Sequence, residues 1–108
     1  MGMNMQKMMR QMQKMQADLE RVQAGLEDMT VEGTAGGGAI TVAVTGHQVV
    51  QEIKIQPDAV DPEDVEMLED LILAAINDGL RKSRELSASE LEKVTGKVNL
   101  LGMPPGLL

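Results

Sequence analysis

An α+β fold is predicted for this chain of 108 residues, with a long helix at each end flanking a three-stranded antiparallel sheet. Three patterns indicate it. Residues alternate in character from Ala39 to Thr45, apolar residues follow a heptad from Met5 to Met29, and Asp61-Pro62 starts a second apolar stripe of helical spacing. The length suits one domain, residues 1–108, in which about 102–108 is expected to be a mobile tail.

The first helix is predicted from apolar residues spaced alternately by three and four, the heptad pattern of a helix that packs on another helix. They are Met5, Met8, Met12, Met15, Leu19, Val22, Leu26 and Met29. Such a helix is about 40 Å long, more than a compact domain of this size can cover. The seam is therefore expected to pack on the chain's own last helix or on a partner subunit's. From Leu19 to Met29, packing on the sheet is an equally simple alternative.

The centre of the predicted sheet is a β-hairpin. Its first strand has apolar residues on one face and small uncharged residues on the other. A Gly46-His47 turn follows, in which the glycine is expected to supply the positive φ of a tight hairpin. The second strand then returns with Val49, Ile53 and Ile55 on one face and Val50, Glu52 and Lys54 on the other. Thr30 to Thr34 is a candidate third strand, connected through Gly36 to Gly38. The residues assigned to the buried sheet and the dimer contact are Ile40, Val42, Val44, Ile53 and Ile55. Because small residues allow a second layer to approach closely, the two-faced strand favours a dimer.

The last helix is predicted to begin with Asp61 as its N-cap and Pro62 at the first helical position. The stripe that follows contains Val65, Leu68, Ile72 and Leu80. Ser87 to Glu90 can form a capping box that restarts a helix, so continuity past Ser87 stays open.

Composition argues against several classes of protein. The chain has no cysteine for thiolate chemistry and no aromatic residue on which a base could stack. Its longest apolar run, residues 71–76, is too short to span a bilayer. His47 is the only histidine, and the Gly36–Gly38 loop is not followed by the lysine of a phosphate-binding loop. We therefore predict no enzyme activity, catalytic residue, metal, cofactor, small-molecule substrate or membrane association.

Charge is unevenly distributed along this chain of net charge −7. No acid precedes Asp18, whereas the segment from Asp61 to Leu80 contains acids and no base. The positive charges gather in two clusters, a basic ridge on the first helix (Lys7, Arg10, Lys14 and Arg21) and the turn Arg81, Lys82 and Arg84. A solvated helix face is the simpler interpretation of such a ridge. The absence of acids around its start favours a surface that faces phosphates.

Taken in order, the Met/Gln/Lys helix, the glycine-broken β region, the segment LEDLILAAINDGLRKS and the ending GMPPGLL resemble the YbaB/EbfC family of bacterial nucleoid-associated proteins. The resemblance covers the whole chain and is most specific from Leu68 to Arg81. It implies an α-β-β-β-α protomer, a tweezer-like homodimer joined through its sheet region, and two helical arms that bind duplex DNA. This sequence departs from the family pattern in its acidic middle and in Gly79, which replaces a better helix former.

The family's binding surface lies on its first and last helices, which here match Lys7, Arg10, Lys14, Arg81, Lys82 and Arg84; Arg21 extends the ridge. The resemblance thus predicts a cytoplasmic, nucleoid-associated protein that contacts DNA phosphates and affects nucleoid organisation and gene expression. The alternative function is a non-enzymatic scaffold that binds another protein through the methionine-rich seam.

Overall fold

The computed structural model describes residues 5–99, with side chains described to Gly96. The elements are α1 (Met5–Leu26), β1 (Thr30–Ala35), β2 (Ile40–Thr45), β3 (Val50–Ile55), a 3-10 turn at Pro57–Ala59, and α2 (Val65–Asn99). The strands form one antiparallel sheet in the order β1-β2-β3. This confirms the predicted α-β-β-β-α architecture. The predicted mobile tail, about 102–108, lies outside the described residues.

The hydrophobic core lies between α2 and the face of the sheet that β2 supplies. Ile40, Val42 and Val44 are completely buried, as is Ala75 of α2, and leucine and isoleucine side chains of α2 pack around them. The strict alternation of β2 explains this burial, because a strand presents every second side chain to the same face.

Gly33 of β1 and Gly79 of α2 let strand and helix approach backbone to backbone. A Cβ at Gly33 would lie 2.3 Å from the carbonyl oxygen of Ala75 and 2.4 Å from the amide nitrogen of Gly79. A Cβ at Gly79 would lie 2.7 Å from Cγ2 of Val44. Gly79 is a poor helix former in the middle of α2, and packing explains its presence, since no other residue fits there.

The turn between β2 and β3 differs from the prediction that Gly46 supplies a positive φ. Gln48 takes that conformation, with φ of 62°. Gly46 is required for space instead, because a Cβ there would lie 2.7 Å from the carbonyl oxygen of Leu26. The predicted hairpin connection at Gly36, Gly37 and Gly38 does use the left-handed region, with φ of 65°, 67° and 96°.

β3 contains a bulge that changes which side chains share a face. Ala43 pairs with Glu52 but Val44 pairs with Val50, which leaves Gln51 as an extra residue. Val50 therefore lies on the same face as Ile53 and Ile55, not opposite them as the unbroken alternation predicted. All six residues of β3 are exposed, because α2 crosses β1 and β2 and leaves this strand uncovered.

The two helices form a long arm that extends beyond the sheet. The first half of α2 covers the sheet, and its second half runs beside α1, burying Leu26 and Val94. The molecule measures 77 × 26 × 16 Å, and its radius of gyration is 20.5 Å, against about 13 Å for a compact domain of this length. We call α1 together with residues 84–99 the arm. The alternative in which α1 lies on the sheet is wrong, since α1 packs on α2.

The end of α1 and the start of α2 correct details of the prediction. α1 ends at Leu26, so Met29 does not belong to its heptad. α2 begins at Val65, and its cap is Asp64, whose Oδ1 accepts the amide of Met67 at 3.2 Å. Asp61 instead closes the preceding turn by accepting the amide of Glu63 at 2.9 Å. α2 continues unbroken through Ser87 to Asn99.

Candidate nucleic-acid interface

The turn between β2 and β3 attaches the arm to the sheet. The amide of Gly46 donates to the carbonyl of Leu26 at 3.0 Å, so it binds the end of α1. The buried hydroxyl of Ser83, in α2, donates to the carbonyl of Thr45 at 2.5 Å. This bond holds α2 to the start of the same turn. Gln48 Nε2 donates to Ser83 Oγ at 2.9 Å and connects the two attachments. These bonds hold both helices of the arm to one four-residue turn.

His47 adds a contact to the end of α1. Its Nε2–H donates to the carbonyl of Gln23 at 2.6 Å. Carbonyls in the last turn of a helix lack an intrahelical partner. The only histidine of the sequence therefore helps to cap α1.

The basic ridge lies on the exposed surface of α1. Lys7, Arg10 and Lys14 are all exposed, and within the described part of the chain none of them forms an ion pair. Lys7 and Lys14 are separated by two helical turns, about 10 Å along the axis. Arg21 differs, because it pairs with the buried carboxylate of Asp18 one turn before it. Three of the four ridge cations are thus available to a ligand.

The second cluster is mostly engaged in structural contacts around Asp78. Arg81 pairs with Asp78 at 2.9 Å and with Glu85 at 2.8 Å, and Lys82 pairs with Asp78 at 3.0 Å. Lys82 also donates to the carbonyl of Glu32 in β1 at 3.1 Å. Arg84, by contrast, is exposed and forms no ion pair within the described residues.

Asp78 is the residue that sequence reasoning missed. Its Oδ2 accepts the amide of Thr34 in β1 at 3.0 Å. That bond and those from Lys82 and Arg81 lower the pKa of Asp78 from 3.8 to about 2, while the same carboxylate raises the pKa of Arg81. The three side chains therefore fasten α2 to the free edge of β1. An i, i+3, i+4 pattern of opposite charges at 78, 81 and 82 was the available signal.

The acidic segment from Asp61 to Asp70 lies away from the exposed cations. It precedes and begins α2, whereas Arg84 lies 14 residues further along the helix, about 21 Å from Asp70. α1 runs beside the far half of α2, so the basic ridge is further still. A Debye length is about 8 Å at physiological salt, so this separation screens the ridge from that acidic segment.

The five residues assigned to the sheet and dimer contact fall into two groups. Ile40, Val42 and Val44 are in the core of the protomer. Ile53 and Ile55 are 42% and 38% exposed on β3. The second group is therefore available for a contact with another chain.

Among the described residues no group of three or more His, Asp or Glu side chains is arranged to hold a metal ion. Neither helix, over residues 5–99, is long and apolar enough to cross a membrane.

Residues 1–98 match the YbaB/EbfC DNA-binding family. The chain belongs to this family. Among its relatives, a nucleoid-associated protein from Geobacillus sp. (strain WCH70) is 59% identical, covering 93% of each chain. One from Desulforamulus reducens is 52% identical over 95% of this chain and 98% of its own length. One from Moorella thermoacetica is 56% identical over 94% and 99%.

Among solved structures, an uncharacterized protein from Helicobacter pylori superposes with a TM-score of 0.60. The superposed region covers 72% of this chain and 90% of the Helicobacter pylori chain, at 20% sequence identity. At that identity the match supports the fold alone. Because the chain belongs to the YbaB/EbfC DNA-binding family, DNA is the first ligand to consider for the exposed cations of the arm.

Proposed function

We propose that this YbaB/EbfC protein is a nucleoid-associated homodimer that binds duplex DNA through phosphate contacts from its arms. The observation that carries the proposal is the row of exposed cations, Lys7, Arg10 and Lys14, on a helix that projects beyond the sheet. In a bacterial cell such a protein works in the cytoplasm on the nucleoid, where it affects DNA organisation and gene expression. The names of the relatives support this setting.

Phosphates are better ligands for this surface than base edges. Between Lys7 and Lys14, the residues other than Arg10 are methionine and glutamine, such as Met8, Met9 and Gln13. Lysine and arginine on an exposed helix meet the charged backbone of any duplex, and backbone contacts carry no sequence information directly. The expected binding is therefore tolerant of sequence and strongly dependent on salt.

The homodimer is supported by the uncovered side of β3. Val50, Ile53 and Ile55 form an apolar row that α2 does not reach, and Leu73 of α2 is 59% exposed. The opposite edge strand is protected, since Asp78 and Lys82 bond to the backbone of β1. An apolar edge strand left open is a template for pairing with another chain. A second copy is the natural occupant, and it doubles the number of arms.

Sedimentation equilibrium tests the dimer. We expect about twice the 11.7 kDa chain mass, and we expect Ile53→Asp to shift the protein towards the monomer, because it places a charge in the contact. Gln51→Asp is the matched control, since it adds the same charge at the bulge without removing an apolar side chain. A wild-type monomer at micromolar concentration contradicts the dimer.

Fluorescence anisotropy with labelled duplexes tests DNA binding. Two duplexes of the same length and unrelated sequence are titrated from about 50 to 300 mM salt. We expect similar affinity for both, and a logarithm of the binding constant that falls steeply and linearly with the logarithm of salt concentration. Binding that is indifferent to salt would contradict phosphate recognition.

A second function, that of a protein-binding scaffold, is favoured by one observation. Methionines 5, 8, 9, 12 and 15 of α1 are all exposed, which leaves half of the heptad seam without a covering element among the described residues. Binding through such a surface is apolar and therefore insensitive to salt at the concentrations used above. The same titration thus separates the two functions.

A further inference from the structure

The exposed methionines of α1 continue a seam that is already used inside the chain. The methionine stripe consists of Met5, Met8, Met9, Met12 and Met15, which are between 37% and 74% exposed. Along the same face, Leu19 and Val22 are half-buried and Leu26 is completely buried where α1 runs beside α2. Within residues 5–96, the stripe is therefore the uncovered continuation of a helix–helix interface.

Charge does not prevent a second methionine stripe from approaching. At about 100° per residue, Lys7, Arg10 and Lys14 lie on the outer face of α1, about a third of a turn or more from the centre of the row formed by Met5, Met8, Met12 and Met15. The residues that border that row include Gln11 and Gln16, which are uncharged. Two stripes can meet while both basic ridges point outward.

The spacing of the row is also symmetrical. Met5, Met8, Met12 and Met15 are separated by three, four and three residues, so the row reads the same in both directions. An antiparallel second copy places Met5 against Met15 and Met8 against Met12, around a twofold axis at position 10. A patch that is complementary to itself in this way gives a closed, isologous contact. Methionine suits such a contact because its flexible thioether adapts to irregular gaps.

We propose that the methionine stripe is an interface between copies of this chain, in which α1 pairs antiparallel with α1 of a second copy. Arms then join tip to tip, and their basic ridges remain on the outside. The stripe is only about 15 Å long, so one pairing is weak. It gains strength when each unit has two arms, and that gain alone rests on the proposed dimer.

Cysteine cross-linking tests the register, and the natural chain contains no cysteine to interfere. Met8→Cys and Met12→Cys are made as separate proteins and oxidised alone or mixed, without DNA. We expect the mixture to give the disulfide-linked pair faster than either protein alone, because position 8 faces position 12 of the second copy. Cross-linking of Met8→Cys mainly with itself, or no cross-linking, overturns the proposal.

Sedimentation velocity at about 1 to 500 µM tests the contribution of the thioethers. We expect species larger than the basic unit at high concentration, persisting in about 0.5 M salt. Met8→Gln with Met12→Gln should weaken their formation at least about tenfold, since glutamine keeps length and helix propensity but not apolar surface. Met29→Gln with Met67→Gln is the matched control, because both are exposed methionines outside the stripe.

Each remaining outcome has a definite meaning. If the stripe variant and the control sediment alike, or if no species larger than the basic unit forms, the proposal is overturned. If the stripe variant sediments like wild type but melts at a lower temperature, the chain covers its own stripe, which also overturns it. At low micromolar concentration, the mass of the smallest species shows whether the proposed dimer through β3 forms. Failure of the contact through β3 is therefore distinguishable from failure of the contact through the methionine stripe.

Discussion

Replacing Gly33 with alanine should strongly destabilise the protein. The added Cβ would lie 2.3 to 2.6 Å from three backbone atoms of Ala75 and Gly79, whereas ordinary contacts begin near 3.4 Å. Backbone atoms of a helix cannot rotate away as a side chain can, so β1 and α2 must separate by about 1 Å. Overpacking of this kind costs about 1–3 kcal/mol, and rigid neighbours on both sides favour about 3. The free energy of unfolding falls by about 1–3 kcal/mol per molar of urea, so a loss of about 3 kcal/mol should lower the unfolding midpoint by about 1–3 M.

Gly25→Ala is the matched control. Nothing lies within 4 Å of a Cβ at Gly25, which is in the last turn of α1. The same substitution there should stabilise the protein by about 0.5–1 kcal/mol through helix propensity. Urea unfolding followed by circular dichroism, at one fixed protein concentration, measures both variants. Equal midpoints for Gly33→Ala and wild type would refute the close packing of β1 on α2.

The remaining predictions concern the start and the middle of α2. Because the pKa of Asp78 is lowered to about 2, its ionised form stabilises the fold above its ordinary pKa, and that contribution is lost as pH falls from about 4 to 2. Asp78→Asn should therefore be less stable than wild type at neutral pH and lose less stability on acidification, measured by urea unfolding at both pH values; parallel losses contradict the assignment. Asp64→Ala should cost about 1 kcal/mol of unfolding free energy as the loss of an N-cap, and more than Asp61→Ala; the reverse order would restore Asp61 as the cap.

The fold was predictable where local pattern and packing agree. β2 alternates without exception, and its apolar face is the one that α2 buries. The length of the α1 heptad predicted a helix longer than one compact domain can cover, and the dimensions of the molecule agree with it.

What could not be predicted depends on contacts between distant segments. Gly46 is a residue type typical of tight turns. In the structure its amide donates to the carbonyl of Leu26, and its lack of a side chain leaves space for the end of α1. Asp61 and Asp64 are both good caps by type, and only the entry angle of the chain decides between them. The ion pairs around Asp78 follow from residue spacing along α2, but the bonds of Asp78 and Lys82 to β1 require that strand to pass beside α2.

Only part of the candidate site could be predicted from the sequence. Lys7, Arg10 and Lys14 could be chosen from sequence because no acid lies within reach along the helix before Asp18. Arg81 and Arg84 were predicted together from charge alone, but only Arg81 has acids at helical spacing, and the structure pairs it with both of them. The structure thus shifts the weight of the DNA-binding proposal towards α1.

The most direct test of the proposed function is the salt dependence of duplex binding by Lys7→Gln/Lys14→Gln. Both cations are exposed and unpaired within the described residues, so a dimer that uses both arms loses four phosphate contacts. At about 0.9 per contact, the log–log slope should flatten by about 3.6, or about 1.8 if one arm binds. Lys54→Gln/Lys93→Gln removes the same charge from two ion-paired lysines and should change the slope by less than one unit. Equal slopes for the two variants would contradict the assignment of the DNA surface to α1.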